Sequence, residues 1–185
     1  MPRYVALLRG INVGGKNLIP MAGLKACFED QGFDDVRTYI QSGNVVFTAP
    51  TSSEAVLTRR VEQMLTSTFD HYKASVVIRS RTQMRSIVER APDGFGTEAT
   101  RYRDDVIFLK PPLTARTVVA SVPIKEEVDR IWAGTGVVYF SRLTSRAAQS
   151  RLSRVVSMPI YQQMTIRNWN TTTKLLELVD AKDLA

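Results

Sequence analysis

The feature that most constrains this chain is an imperfect internal repeat. Arg37, Tyr39, Ser42, Gly43, Val45 and Phe47 recur as Arg130, Trp132, Thr135, Gly136, Val138 and Phe140, at the same mutual spacing. Upstream, Val5 to Arg9 (VALLR) matches Val106 to Lys110 (VIFLK). Downstream, Ile78-Arg79-Ser80 matches Ile166-Arg167-Asn168. Each match is weak alone, and their shared order is what indicates two copies of one unit. Two domains are therefore expected, residues 1–91 and 92–185. Their join falls within 92–104, where Pro92, Gly94 and Gly96 break both periodicities.

The first copy defines what the unit is. Tyr4 to Leu8 is a continuous apolar run of strand length, and the glycine-rich stretch Gly10 to Asn17 follows it. Pro20 opens a helix whose Met21, Leu24, Cys27 and Phe28 share one face, and Gly32 supplies the left-handed stop. Val36 to Ile40 and Asn44 to Thr48 read as strands joined at Ser42-Gly43. Thr51 and Glu54 have capping-box spacing ahead of a helix faced by Leu57, Val61, Leu65 and Phe69. Ala74 to Arg79 is a further strand, and final helices are expected over 82–90 and 171–182. The order is βαββαβ, the ferredoxin-like pattern. The expected fold is α+β: two tandem ferredoxin-like repeats, each followed by a helix, with antiparallel sheets.

Three stretches carry a resemblance: Arg9 to Asn17 (RGINVGGKN), Thr38 to Phe47 (TYIQSGNVVF), and Arg167 to Asn170 (RNWN) before Thr173-Lys174-Leu175. With them the chain resembles, over essentially its whole length, the bacterial protein family catalogued as domain of unknown function 1697. The resemblance implies the same duplicated α+β fold and no particular chemistry.

Composition narrows the function classes. With 44% apolar and 23% charged residues, the chain can build an ordinary core. No run approaches the ~18 apolar residues of a membrane span, and no signal-peptide pattern opens the sequence. The single cysteine, Cys27, excludes an internal disulfide and a thiolate metal cage, and its place on an apolar helix face reads as core. His71 stands alone at a strand entrance. A cytoplasmic protein without a cofactor, a metal or a membrane partner is expected. The net charge is +7, with 18 arginines against 7 lysines. Residues 1–28 and 130–176 contain no acid, so positive field concentrates there. Asp34-Asp35 and Glu126-Glu127 read as solvated junctions. A basic surface serves solubility, or else an anionic partner that forked guanidinium groups suit.

The leading candidate site is the link between the first strand and helix. Gly10, Gly14 and Gly15 free backbone N–H groups, Arg9 and Lys16 add charge, and Asn12 adds directed hydrogen bonds. In a βαββαβ unit the Ser42-Gly43-Asn44 turn lies at the same sheet edge, about two strand spacings or ~10 Å away. A purely structural turn hardly needs twelve residues between strand and helix. The partner expected there is a phosphate-bearing small molecule or a nucleic-acid backbone. A P-loop is disfavoured because Asn17 replaces the hydroxyl residue that holds magnesium. An acylphosphatase-like hydrolase shares only element order and residue types. Sheet-face RNA reading is disfavoured because Thr135 and Val137 occupy positions that stacking aromatics need. The second half is expected to lack this site, since Lys110 runs into Pro111-Pro112, which have no N–H to offer.

The secondary candidate is Arg167, Asn168, Trp169 and Asn170 with Lys174. An exposed Trp169 between amides suits stacking on an aromatic ligand. Equally, Asn170 or Thr171 caps the last helix with Trp169 as a staple. Arg142, Arg146, Arg151 and Arg154 are expected on and just before one helix, as its solvated face or as phosphate contacts, with Leu143, Ala147, Leu152 and Val155 inward.

Overall fold

The computed structural model describes residues 1–50 and 53–181. Its first elements are β1 (Arg3–Leu8), α1 (Met21–Asp30), β2 (Asp34–Tyr39), β3 (Asn44–Thr48), α2 (Glu54–Thr68), β4 (Val76–Ser80) and α3 (Arg81–Glu89). The series continues with β5 (Tyr102–Leu109), α4 (Ala115–Ser121), β6 (Asp129–Ala133), β7 (Val137–Leu143), α5 (Leu152–Val155), β8 (Met164–Asn168) and α6 (Trp169–Asp180). Two antiparallel sheets result, ordered β2-β3-β1-β4 and β6-β7-β5-β8. The fold is α+β, a duplicated βαββαβ unit with a helix after each copy. Among the described residues, no helix is long and apolar enough to cross a membrane.

By its contacts the chain forms two units, Met1–Arg85 with Lys174–Ala185, and Ser86–Thr173. In the first, Tyr4, Ala6 and Leu8 of β1 share a core with Val45, Phe47 and Ile78, under Leu24 and Phe28 of α1 and Leu57, Val61 and Leu65 of α2. The alternate residues Val5, Leu7, Val46 and Val77 are buried as well. A strand buried on both faces must be apolar throughout, which is why β1 reads as an unbroken apolar run. In the second unit Ile107, Leu109, Val138, Phe140, Val118, Leu152 and Val155 form the matching core.

The repeat is visible in the strand register. Ala6 pairs with Val45 and Ile78, while Ile107 pairs with Val138 and Ile166. The hairpins differ. Arg37 lies opposite Val46, but Arg130 lies opposite Ser141, two positions beyond Tyr139, the counterpart of Val46. The match of Arg37 and Tyr39 to Arg130 and Trp132 is thus two residues out of step with the pairing. A shift of two preserves the face each residue points to, so the pattern survived in the sequence.

Three local expectations change. The cap of α2 is Ser53, whose Oγ accepts from the Val56 N–H, and Thr51 lies outside the described residues. The four arginines do not share a helix. Arg142 is the last residue but one of β7, Arg146 sits in the 3-10 segment Thr144–Gln149, and Arg154 alone lies within the four-residue α5. Side chains interrupt helical bonding there, because Asp129 Oδ2 accepts from the Arg151 N–H and Ser150 Oγ accepts from the Leu152 N–H. The last helix begins at Trp169, earlier than its periodicity suggests, because Asn168 Oδ1 accepts from the Thr171 N–H.

Candidate functional site

The link from Arg9 to Pro20 is built as a braced loop. Gly10, Asn12, Gly14, Gly15 and Asn17 all have positive φ, between 49° and 72°. Glycine tolerates that region freely and asparagine better than other residues, so this composition follows from the path of the chain. Asn12 spends its whole side chain on the brace: Nδ2 donates to Ile19 O (3.0 Å) and Gln41 O (2.9 Å), and Oδ1 accepts from Ile19 N–H (2.8 Å). Asn17 Nδ2 donates to Gly10 O at 2.8 Å, and the Asn12 N–H donates to Asn17 O at 3.1 Å. Ile11 and Ile19 are buried in the core and pin both ends of the loop. Between them Val13, Gly14, Gly15 and Lys16 stand exposed. The Gly14 and Gly15 N–H groups have no acceptor among the described residues.

The neighbouring turn is nearer than two strand spacings. Leu8 N–H donates to Gly43 O at 2.8 Å, because β3 lies directly beside β1. Gly43 has φ +76°, and a Cβ there would fall 2.8 Å from Leu8 Cβ and 2.9 Å from Ile11 Cδ1. Asn44 is fully buried, and its Nδ2 donates to Tyr39 O (3.0 Å) and Ser42 Oγ (2.9 Å). Asn12 and Asn44 therefore shape the site from behind. Arg9 is half-buried, its N–H donating to Ser75 O and its carbonyl accepting from Tyr72 Oη at 2.8 Å. His71, expected to stand alone, has Nε2 3.2 Å from Leu18 O at the end of the loop. A cavity of about 270 Å³ opens beside Asn12, Leu18, Pro20 and Gln41. Cys27 is buried, and burial pushes its thiol pKa up despite the Thr68 hydroxyl 3.4 Å away.

The segment Arg167 to Asn170 is split by its strand-to-helix junction. Arg167 is only 8% exposed, and its Nη1 donates to Thr165 Oγ1 and Ile166 O. Arg79, its counterpart in the first repeat, is buried likewise, donating to Ile78 O, with Glu54 3.8 Å away. These arginines belong to the repeat. Trp169 packs edge-on against Phe95, ring centroids 5.1 Å apart, with its indole over Gly96. Lys174 belongs to the other unit and pairs with Glu177 at 2.7 Å, which raises its pKa.

Sequence reasoning missed a group of buried charges in the second unit. Asp104, Asp105 and Asp129 are each no more than 8% exposed. Asp105 Oδ2 lies 3.3 Å from Arg142 Nη2 without hydrogen-bond geometry, and Asp104 Oδ2 accepts from the Gly96 N–H at 2.8 Å. Burial raises the Asp105 pKa, the Arg142 charge lowers it, and Asp104 raises it. Asp104, Asp105 and Arg142 line a cavity of about 320 Å³ with Arg103, Trp169 and Asn170. The available signal was an acidic pair leading straight into the apolar run Val106 to Leu109, where a solvated loop has no reason to end.

The comparisons agree with this architecture. The conserved bacterial protein SP0830 from Streptococcus pneumoniae superposes with a TM-score of 0.82 at 26% identity, covering 97% of this chain and 99% of that one. Among curated proteins none matches the chain. The model of the family described as protein of unknown function (DUF1697) matches residues 1–139, a span holding the braced loop, the adjoining turn, β5, β6 and the start of β7, and the chain belongs to that family.

Proposed function

We propose that the Arg9–Lys16 loop binds a phosphate-bearing ligand, a nucleotide or a nucleic-acid backbone, with Ser42, Gly43 and Asn44 forming the wall behind it. The observation that carries this reading is the pair of amides at exposed Gly14 and Gly15, without an acceptor among the described residues, on a loop that the Asn12 and Asn17 side chains already hold in place. Exposed amides on a rigid concave backbone suit an anion, since no reorganisation is needed when it arrives. Lys16 is exposed beside them, Arg9 lies at the root of the loop, and no acid occurs before Glu29. Val13 and Leu18, 65% and 63% exposed, offer apolar contact to the remainder of the ligand.

Binding is favoured over hydrolysis. A hydrolase would need a side chain to orient water, and both asparagines nearest the loop are committed to backbone carbonyls. A thermal-shift panel of inorganic phosphate, nucleotides and short oligonucleotides in low salt tests the proposal. One of them should raise the Tm of the wild type and leave an Arg9→Ala, Lys16→Ala variant unmoved. No shift with any anion would remove the reading.

A further inference from the structure

We propose that the cavity at the start of β5 binds a small zwitterion, a molecule of about the size of a free amino acid that carries both an ammonium and a carboxylate group. The site is separate from the glycine loop and lies wholly within the second unit.

The repeat supplies an internal control. By strand register, Tyr4 occupies the place of Asp105, Arg3 that of Asp104, and Ala49 that of Arg142. Tyr4 stacks on Phe47 with centroids 5.7 Å apart, and Tyr4 and Ala49 are both buried. The fold therefore fills this position with apolar groups when nothing else is asked of it. In the second unit it buries the Asp105 carboxylate instead and sets the half-buried Arg142 guanidinium beside it. Such a pair is commonly less favourable than an apolar filling, because two ions must leave water. Here the pair is also incompletely satisfied, since Asp105 Oδ2 and Arg142 Nε are buried without a hydrogen bond.

The lining has two poles. Arg103 and Arg142 sit directly opposite each other across β5 and β7, an unfavourable placement for like charges that the single Asp105 carboxylate, 3.3 Å from Arg142, offsets only in part. The first turn of α6, at Trp169 and Asn170, adds the positive end of a twelve-residue helix. Against these stand Asp104 and Asp105. A simple anion in the cavity would meet the two carboxylates, and a simple cation would meet the two guanidinium groups and the helix end. A ligand with both charges satisfies both poles, its carboxylate toward Arg103, Arg142 and α6 and its ammonium toward Asp104 and Asp105.

The test uses the intact, ¹⁵N-labelled protein and the Trp169 indole N–H signal, distinguished from that of Trp132 with a Trp169→Phe variant. The standard amino acids are added singly, each beside its matched amine and its matched carboxylic acid. At least one amino acid should shift the Trp169 signal saturably, with both matched single-charge compounds and the Asp105→Asn variant at least tenfold weaker. Absence of any shift at millimolar amino acid overturns the proposal, as does equal affinity for an amine or a carboxylate alone. If Asp105→Asn does not fold, Arg103→Ala at an exposed position takes its place, and undiminished binding by that variant overturns the proposal equally.

Discussion

Asn12 and Ile19 are joined by a reciprocal clamp in which the asparagine side chain both donates to the Ile19 carbonyl at 3.0 Å and accepts from the Ile19 N–H at 2.8 Å. The amide group imitates one rung of an antiparallel ladder, so seven residues of loop are closed without a second strand. Asn12→Ala should cost about 1–3 kcal/mol, since two backbone groups at a part-buried position lose their partners. Asn12→Asp keeps the acceptor but loses both donations, so it should be destabilised too. Urea unfolding of the three proteins measures this, and a cost within error of zero for Asn12→Ala would show that the loop does not depend on the clamp.

Gly43 is the tightest point between the turn and the loop. Gly43→Ala sets a methyl group 2.8 Å from Leu8 Cβ at a left-handed φ, so overpacking alone should cost about 1–3 kcal/mol. Gly14→Ala has open space around it and meets only the φ penalty, of about 1–2 kcal/mol. Urea midpoints should therefore rank wild type above Gly14→Ala and Gly14→Ala above Gly43→Ala. The reverse order for the two variants would contradict the packing described.

Gly96 supports Trp169 in the same way. A Cβ at Gly96 would fall 2.0 Å from the indole Nε1, so Gly96→Ala must displace the ring or the backbone beneath it. Near-ultraviolet circular dichroism should change, and stability should fall by about 1–3 kcal/mol. An unchanged aromatic spectrum would show that the indole is not seated on Gly96.

Asp105 makes stability depend on acid pH in an unusual direction. Burial, the largest cause, raises its pKa above the ordinary value near 3.8, so the folded protein keeps this proton after the unfolded chain has released it. The folded state then binds more protons, and stability falls as pH rises through that window. This group's contribution is complete below the unfolded pKa and lost above the folded one. Asp105→Asn does not titrate and should lack that decline. Urea unfolding across the acid range measures the difference between the two proteins, and a difference independent of pH would show that Asp105 ionises normally.

Asn168 ties the last helix to its strand. Asn168→Ala removes the acceptor for the Thr171 N–H and should cost about 1 kcal/mol. Ser80→Ala should cost a similar amount, since Ser80 Oγ accepts from the Gln83 N–H at the equivalent junction. Paired urea titrations check both, and no loss in either variant would refute the shared capping role.

Local patterning carried most of the fold. The apolar run at Tyr4 to Leu8, the face of Leu24, Cys27 and Phe28, and the order of the repeated segments are properties of neighbouring residues, and they determined two βαββαβ units before any contact was known. The shape of the Gly10 to Asn17 link was legible for the same reason, because left-handed backbone selects glycine and asparagine wherever it occurs. What each side chain does once folded was not legible. Asn12, Asn44 and Arg167 have the composition of ligand contacts, yet they are spent on Ile19, Tyr39 and Thr165, partners that only the closed chain supplies. Asp105 and Arg142 lie far apart in sequence, and although the apolar run after Asp105 hints at its burial, nothing local marks the two as paired. Their pairing arises because β7 lies against β5, and burial and charge pairing across strands are properties of the assembled sheet, so tertiary structure alone decided where this protein keeps its buried charge.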